Sequence, residues 1–130
     1  MSAVVLAVLM HFIGDYIIQT DWMAQTKTKH WLPAIVHGIT YTVPFVFVTM
    51  SLPALLVIAV THIVIDHYRL ARHVIWAKNQ LSPKEWRYSW SEGNLTGYHN
   101  DAPVWLTTWL MIIADNTMHI AINTLAILFL

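Results

Sequence analysis

The sequence contains no cysteine. Disulfides, thiolate zinc sites and cysteine nucleophiles are therefore excluded. Charge is also scarce. Asp, Glu, Lys and Arg make up 11% of the 130 residues, where an average soluble domain carries about 25%. Seven Lys+Arg balance seven Asp+Glu, so no basic field points to nucleic acid. The His-Glu-x2-His zinc-protease motif, the Gly-x-Ser-x-Gly elbow, the phosphate-binding P-loop and the His-x2-His-His boxes of membrane desaturases are all missing. What the chain has in quantity is apolar. Hydrophobic residues make up 57% of it, and the mean hydropathy is +0.53. Eight His and seven Trp stand out against that background.

Four apolar stretches qualify as spans by the roughly 20 residues needed to cross a bilayer core of about 30 Å. They run from about Ala3 to Thr20, Leu32 to Met50, Pro53 to Ile75, and Val104 to Leu130. Ser51-Leu52-Pro53 reads as a tight turn between the second and third. The pattern predicts one domain over residues 1–130, an all-α integral membrane protein built as a four-transmembrane-helix antiparallel bundle. The first stretch lacks a basic leader and carries His11 and Asp15 at its centre, so it reads as a permanent helix and not a signal peptide. All seven basic residues fall in the Asp21–Trp31 and Trp76–Pro103 connections or at the end of the third stretch. The positive-inside rule then predicts a multi-pass inner-membrane protein with both termini non-cytoplasmic. In the long connection, Ser82-Pro83-Lys84-Glu85 has the form of a capping box, which predicts a short interfacial helix from Pro83 to about Ser91.

Ionisable side chains within apolar segments are costly and are functional candidates by default. His11-x3-Asp15, His62-x3-Asp66 and Asp115-x3-His119 are each i, i+4 pairs, which share one helix face. His37 and Tyr41 repeat the spacing. Turned inward, these faces gather imidazoles and carboxylates, the ligand types of Zn²⁺, Mn²⁺ and Fe²⁺. His11, Asp15, His37, His62, Asp66, Asp115 and His119 are the candidate ligands, sufficient for one or two divalent ions. Gln19, Tyr41, His67 and Asn116 are candidate supporting residues, with Thr108 and Asn123 flanking the last pair. A proton pathway and purely structural polar packing are the competing readings. Arg69, Arg72, Lys27 and Lys29 would rim an opening suited to an anionic headgroup or phosphate. His30, His73 and His99 read as surface histidines.

These blocks resemble a small membrane family of bacteria and phages that has no assigned reaction. The first block is His11-Phe12-Ile13-Gly14-Asp15-Tyr16-Ile17-Ile18-Gln19-Thr20-Asp21-Trp22-Met23-Ala24. A Lys follows, here Lys27 or Lys29, then His37-x3-Tyr41 and His62-x3-Asp66. Arg69 stands where the pattern has Lys. Asp115-Asn116-Thr117-Met118-His119 closes it, with Asn for Gln. A more distant similarity, to membrane-bound metal-dependent hydrolases, implies a reaction only by analogy.

The functional expectation is a metal-dependent hydrolase at the cytoplasmic leaflet, acting on a lipid or lipid-linked phosphoester. Asp66 and Arg69 would be its catalytic residues, with Arg69 engaging phosphate or carboxylate. The alternatives are a divalent-metal or proton transporter or channel, which would require a homo-oligomer, and a non-enzymatic membrane factor with a structural polar core.

Overall fold

A computed structural model describes residues 2–130. Among the described residues the chain is entirely helical, with seven α-helices: α1 Ala3–Phe12, α2 Asp21–Thr26, α3 Trp31–Thr42, α4 Leu52–Tyr68, α5 Leu70–Asn79, α6 Trp90–Gly93 and α7 Val104–Phe129. The helical content agrees with the sequence pattern, but the four-span bundle does not survive. Among the described residues only α7 is by itself long and apolar enough to cross a membrane. The 17 residues of α4 cover about 26 Å at a rise of about 1.5 Å per residue, short of a core of about 30 Å.

The backbone explains each interruption. After α1 the ladder widens into a π-helical turn at Ile13–Ile18 and ends at Gln19. Thr20 then starts α2, its hydroxyl accepting from the Met23 amide at 3.4 Å. α3 ends at Thr42 and gives way to a 3₁₀ segment, Val43–Phe47. Pro44 has no N–H to continue the α ladder. The third apolar stretch breaks at Arg69, which adopts φ 52° and ψ 50°. A left-handed non-glycine residue costs roughly 1–2 kcal/mol. The long connection also differs from expectation. Lys84–Trp86 is one 3₁₀ turn, and the capping box belongs to Ser89 and Glu92 at the start of α6. The Trp76 indole N–H and the Gln80 amide both donate to the Tyr88 carbonyl at 3.2 Å, and Arg87 is extended. These contacts end the turn before it can grow.

The chain divides into two compact units. The first runs as far as Tyr68 and includes His119–Leu130. In it α3 packs on α4 at Gly38, where an added Cβ would collide with the Ile63 side chain. Gly14 brings the π turn equally close to Tyr41, whose Cδ2 would lie 2.5 Å from an added Cβ. Ala7, Tyr41, Phe45, Ala54, Ile58 and Ala126 form its apolar core. The second unit, Arg69–Met118, contains α5, α6 and the remainder of α7. Its long loop is tied down by side chains that bind backbone carbonyls, including Arg72 to Asn94 and Asn79 to Gly97.

Candidate metal centre

Next to that apolar core, the first unit buries six ionisable side chains together. His11, His37, His62 and His119 are at most 1% exposed, and Asp15 and Asp66 at most 8%. Each helix contributes through the spacing seen in the sequence. The π turn presents Asp15, α3 presents His37, and one face of α4 presents His62 and Asp66.

Four ligand-type atoms converge. His37 Nε2 lies 3.2 Å from Asp15 Oδ1 and 3.3 Å from Asp66 Oδ2. His62 Nε2 lies 3.3 Å from Asp15 Oδ1 and 3.2 Å from Asp66 Oδ2. The two Nε2 atoms are 2.9 Å apart. One ligand atom from each of the four residues lies within 4.8 Å of every other. A tetrahedral ion with ligands at about 2.0–2.2 Å has ligand–ligand edges of about 3.3–3.6 Å. The four nitrogen–oxygen edges lie within about 0.1 Å of that range, and the Nε2–Nε2 edge of 2.9 Å is shorter, so small side-chain shifts fit the donor set to a divalent cation without rearrangement of the helices.

The outer imidazoles lie on the far side of each carboxylate, His119 within hydrogen-bond distance of Asp66 and His11 farther from Asp15. His119 Nε2 is 3.0 Å from Asp66 Oδ1, and His11 Nδ1 is 3.6 Å from Asp15 Oδ2. Asp66 thus directs one oxygen into the cluster and the other to a supporting ring, the arrangement that orients ligands in metal sites. Tyr41 joins these parts. Its ring stacks on His62 at 3.5 Å between centroids and 11° between planes. Its hydroxyl lies 2.7 Å from His11 Nδ1 and accepts from Asn123 Nδ2 at 2.6 Å.

Burial disfavours charge on Asp15 and His37, lifting the pKa of the first and lowering that of the second. Hydrogen bonds outweigh burial in both. Those from His37 and His62 hold the Asp15 carboxyl well below its ordinary range. Those to Asp15 and Asp66 raise His37 above its ordinary value. Asp15 is therefore an anion at neutral pH, as a ligand must be.

Of the seven ligands expected from the sequence, Asp15, His37, His62 and Asp66 form this cluster, and His11 and His119 stand behind it. Asp115 and Asn116 fall in the part of α7 assigned to the second unit. Arg69 begins that unit, and its guanidinium donates to the Leu95 carbonyl at 3.0 Å. Gln19 binds Lys27 at 2.6 Å. His67 stacks on Trp31 at 3.9 Å between centroids, and its Nδ1 donates to the Lys27 carbonyl at 2.8 Å.

Lys27, expected at the rim of the site, also reaches the ligands themselves. From the outward side of the cluster its ammonium donates to Asp66 Oδ2 at 2.5 Å. The signal available was a charge balance, since two buried carboxylates need a cation and Lys27 is the first basic residue in the chain.

The chain belongs to the DUF3307 family, proteins of unknown function, whose model matches residues 3–91. The matched range contains all four clustered ligands and Lys27, whereas His119 and Asn123 lie beyond it. No curated protein and no solved structure matches the chain.

Proposed function

We propose that the protein is a metal-dependent hydrolase that holds one divalent ion at Asp15, His37, His62 and Asp66. The convergence of two imidazole nitrogens and two carboxylate oxygens with separations of 2.9–3.3 Å carries this reading. A bound divalent ion lowers the pKa of a coordinated water and supplies a nucleophile at neutral pH. Hydrolysis requires an open coordination position. Asp15, His37, His62 and Asp66 would hold the ion, and Mn²⁺ or Fe²⁺, which accept more than four ligands, would keep the open position that hydrolysis needs. The substrate class is a lipid or lipid-linked phosphoester. Its apolar part is matched by the surface of the same unit, where Ile17, Phe47 and Met50 are 77%, 86% and 82% exposed. Large exposed apolar surfaces mark membrane or partner contact.

One observation favours a second reading. Four protein ligands in near-tetrahedral array also describe a closed, structural Zn²⁺ site, which would tie the π turn, α3 and α4 together without catalysis. Elemental analysis of detergent-purified protein, paired with phosphoester hydrolysis before and after chelation, separates the two. The hydrolase is expected to carry one Mn or Fe per chain, to lose hydrolysis on chelation, and to regain it with Mn²⁺. One zinc per chain with no hydrolysis in any metal form supports the structural site. Protein that takes up no metal overturns both.

A further inference from the structure

The ligand cluster already has a cation at one side. Lys27 Nζ donates to Asp66 Oδ2 at 2.5 Å and to Gln19 Oε1 at 2.6 Å, and lies 3.2 Å from His37 Nε2. Two of these three partners are ligand atoms of the centre. An imidazole nitrogen has one bonding direction, for a proton or for a metal ion, so His37 Nε2 cannot bind a metal ion while Lys27 Nζ stays packed 3.2 Å from it. Asp66 Oδ2 would likewise be shared between two cations in contact, which a buried site penalises strongly. Lys27 and a divalent ion are therefore competitors for the same atoms.

Lys27 is also held so that it can turn without leaving. It caps α2, its amide bonded to the Met23 carbonyl at 3.0 Å. Its own carbonyl accepts from His67, the neighbour of Asp66 on α4. The backbone is thus fixed at both ends of the residue, while the four-carbon stem keeps its rotamers. The Lys27 side chain is 16% exposed against 5% for Asp66, so the ammonium lies on the outward side of the cluster. An anion approaching the ion from that side meets Lys27 first.

We propose that Lys27 is the anion-binding residue of this centre, which pairs with Asp66 and His37 until a divalent ion takes those atoms, and then serves an anionic group bound at the ion. The chemical class recognised is a phosphate or phosphoester oxygen. This rests on the metal reading above, and Gln19 is the partner that Lys27 keeps in both arrangements.

The test is a Mn²⁺ titration of wild type, Lys27→Met and Lys27→Arg in the full-length, detergent-purified protein. Removing the competing charge is expected to tighten Mn²⁺ binding in Lys27→Met by about tenfold, within the range of ordinary coupling between two sites. Lys27→Arg, which keeps the charge, should stay near wild type. In a second arm, inorganic phosphate is added to each Mn²⁺-loaded protein. It should raise the apparent Mn²⁺ affinity of wild type and leave Lys27→Met unchanged. Should Lys27→Met be unstable without the ion, the dependence of its melting temperature on Mn²⁺ reads the same affinity. Equal or weaker Mn²⁺ binding by Lys27→Met, or an equal phosphate effect on both proteins, overturns the role of Lys27. Wild type that binds no Mn²⁺, and no other divalent ion in the elemental analysis, overturns the centre itself.

Discussion

The two units differ in where most of their longer-range polar contacts lead. In the second unit, side chains reach backbone carbonyls: Arg69 to Leu95, Arg72 to Asn94, Trp76 and Gln80 to Tyr88, and Tyr88 to Gly97. In the first, buried side chains reach one another: His62 to His37, His119 to Asp66, and Tyr41 to His11 and Asn123. A bond to the backbone fixes a loop and has no other use, because the carbonyl belongs to the chain's path. Bonds among side chains tie titratable groups into a network in which each polarises the next. They can also be redirected to a ligand without moving a helix axis. The difference shows why chemistry is expected from one unit and loop architecture from the other.

The sharpest way to break this contrast is Asp66→Asn. The amide keeps the shape but removes the charge that faces Lys27, His37, His62 and His119. Breaking a buried charge pair from one side costs about 3–5 kcal/mol. Bound metal should fall from one ion per chain towards none, measured alongside the denaturation midpoint. Normal metal content would show that the side-chain network only packs.

Next in size is the ion itself. At a free concentration one hundred times its dissociation constant, a ligand of the folded state stabilises it by about 2.7 kcal/mol. Hydrogen exchange should place the added protection in α1, α3 and α4 and leave α5 and α6 unchanged. Uniform protection across both units would remove the distinction between them. Tyr41→Phe follows. It keeps the ring on His62 but leaves His11 and Asn123 without the hydroxyl, at a cost of about 1–3 kcal/mol, read by chemical denaturation with metal binding weakened.

The second unit supplies the smallest effects. Trp76→Phe removes one N–H from the Tyr88 carbonyl, a loss of about 1 kcal/mol, and should leave metal content unchanged. At α6, hydrogen bonds from the Ser89 side chain and amide hold the Glu92 carboxyl below its ordinary pKa. The folded value is lowered, so the contribution of this cap is complete above the ordinary carboxylate range and fades as the pH falls through the folded value. The Ser89 amide chemical shift should follow that titration, and metal binding should not.

The acid–histidine faces were legible in the sequence because i, i+4 spacing states which side chains share a side of a helix. It does not state which of several convergent imidazoles share one centre, and in the structure it is His37 and His62 that meet Asp15 and Asp66. The membrane spans failed for a different reason. Hydropathy sums over about 20 residues and is blind to backbone interruptions. The π turn after Phe12, the missing N–H at Pro44 and the left-handed Arg69 each divide a stretch whose composition is continuous. The contact of Lys27 with Asp66 was not legible, because a lysine in a polar connection reads as solvated and only the three-dimensional path of α2 turns it towards the acid.

The π turn at Ile13–Ile18 has one further consequence, for how the chain tolerates changes in length. A π turn accommodates one more residue than the α-helical turn it replaces, and such turns recur at functional sites. It therefore behaves as an insertion absorbed inside the helix, with the segments before and after it keeping their places. Deleting one residue between Ile13 and Ile18 would regularise the ladder and give better backbone hydrogen bonds, while rotating Asp15 away from His37 and His62. A shorter chain of this kind would be a better helix and a poorer cation site.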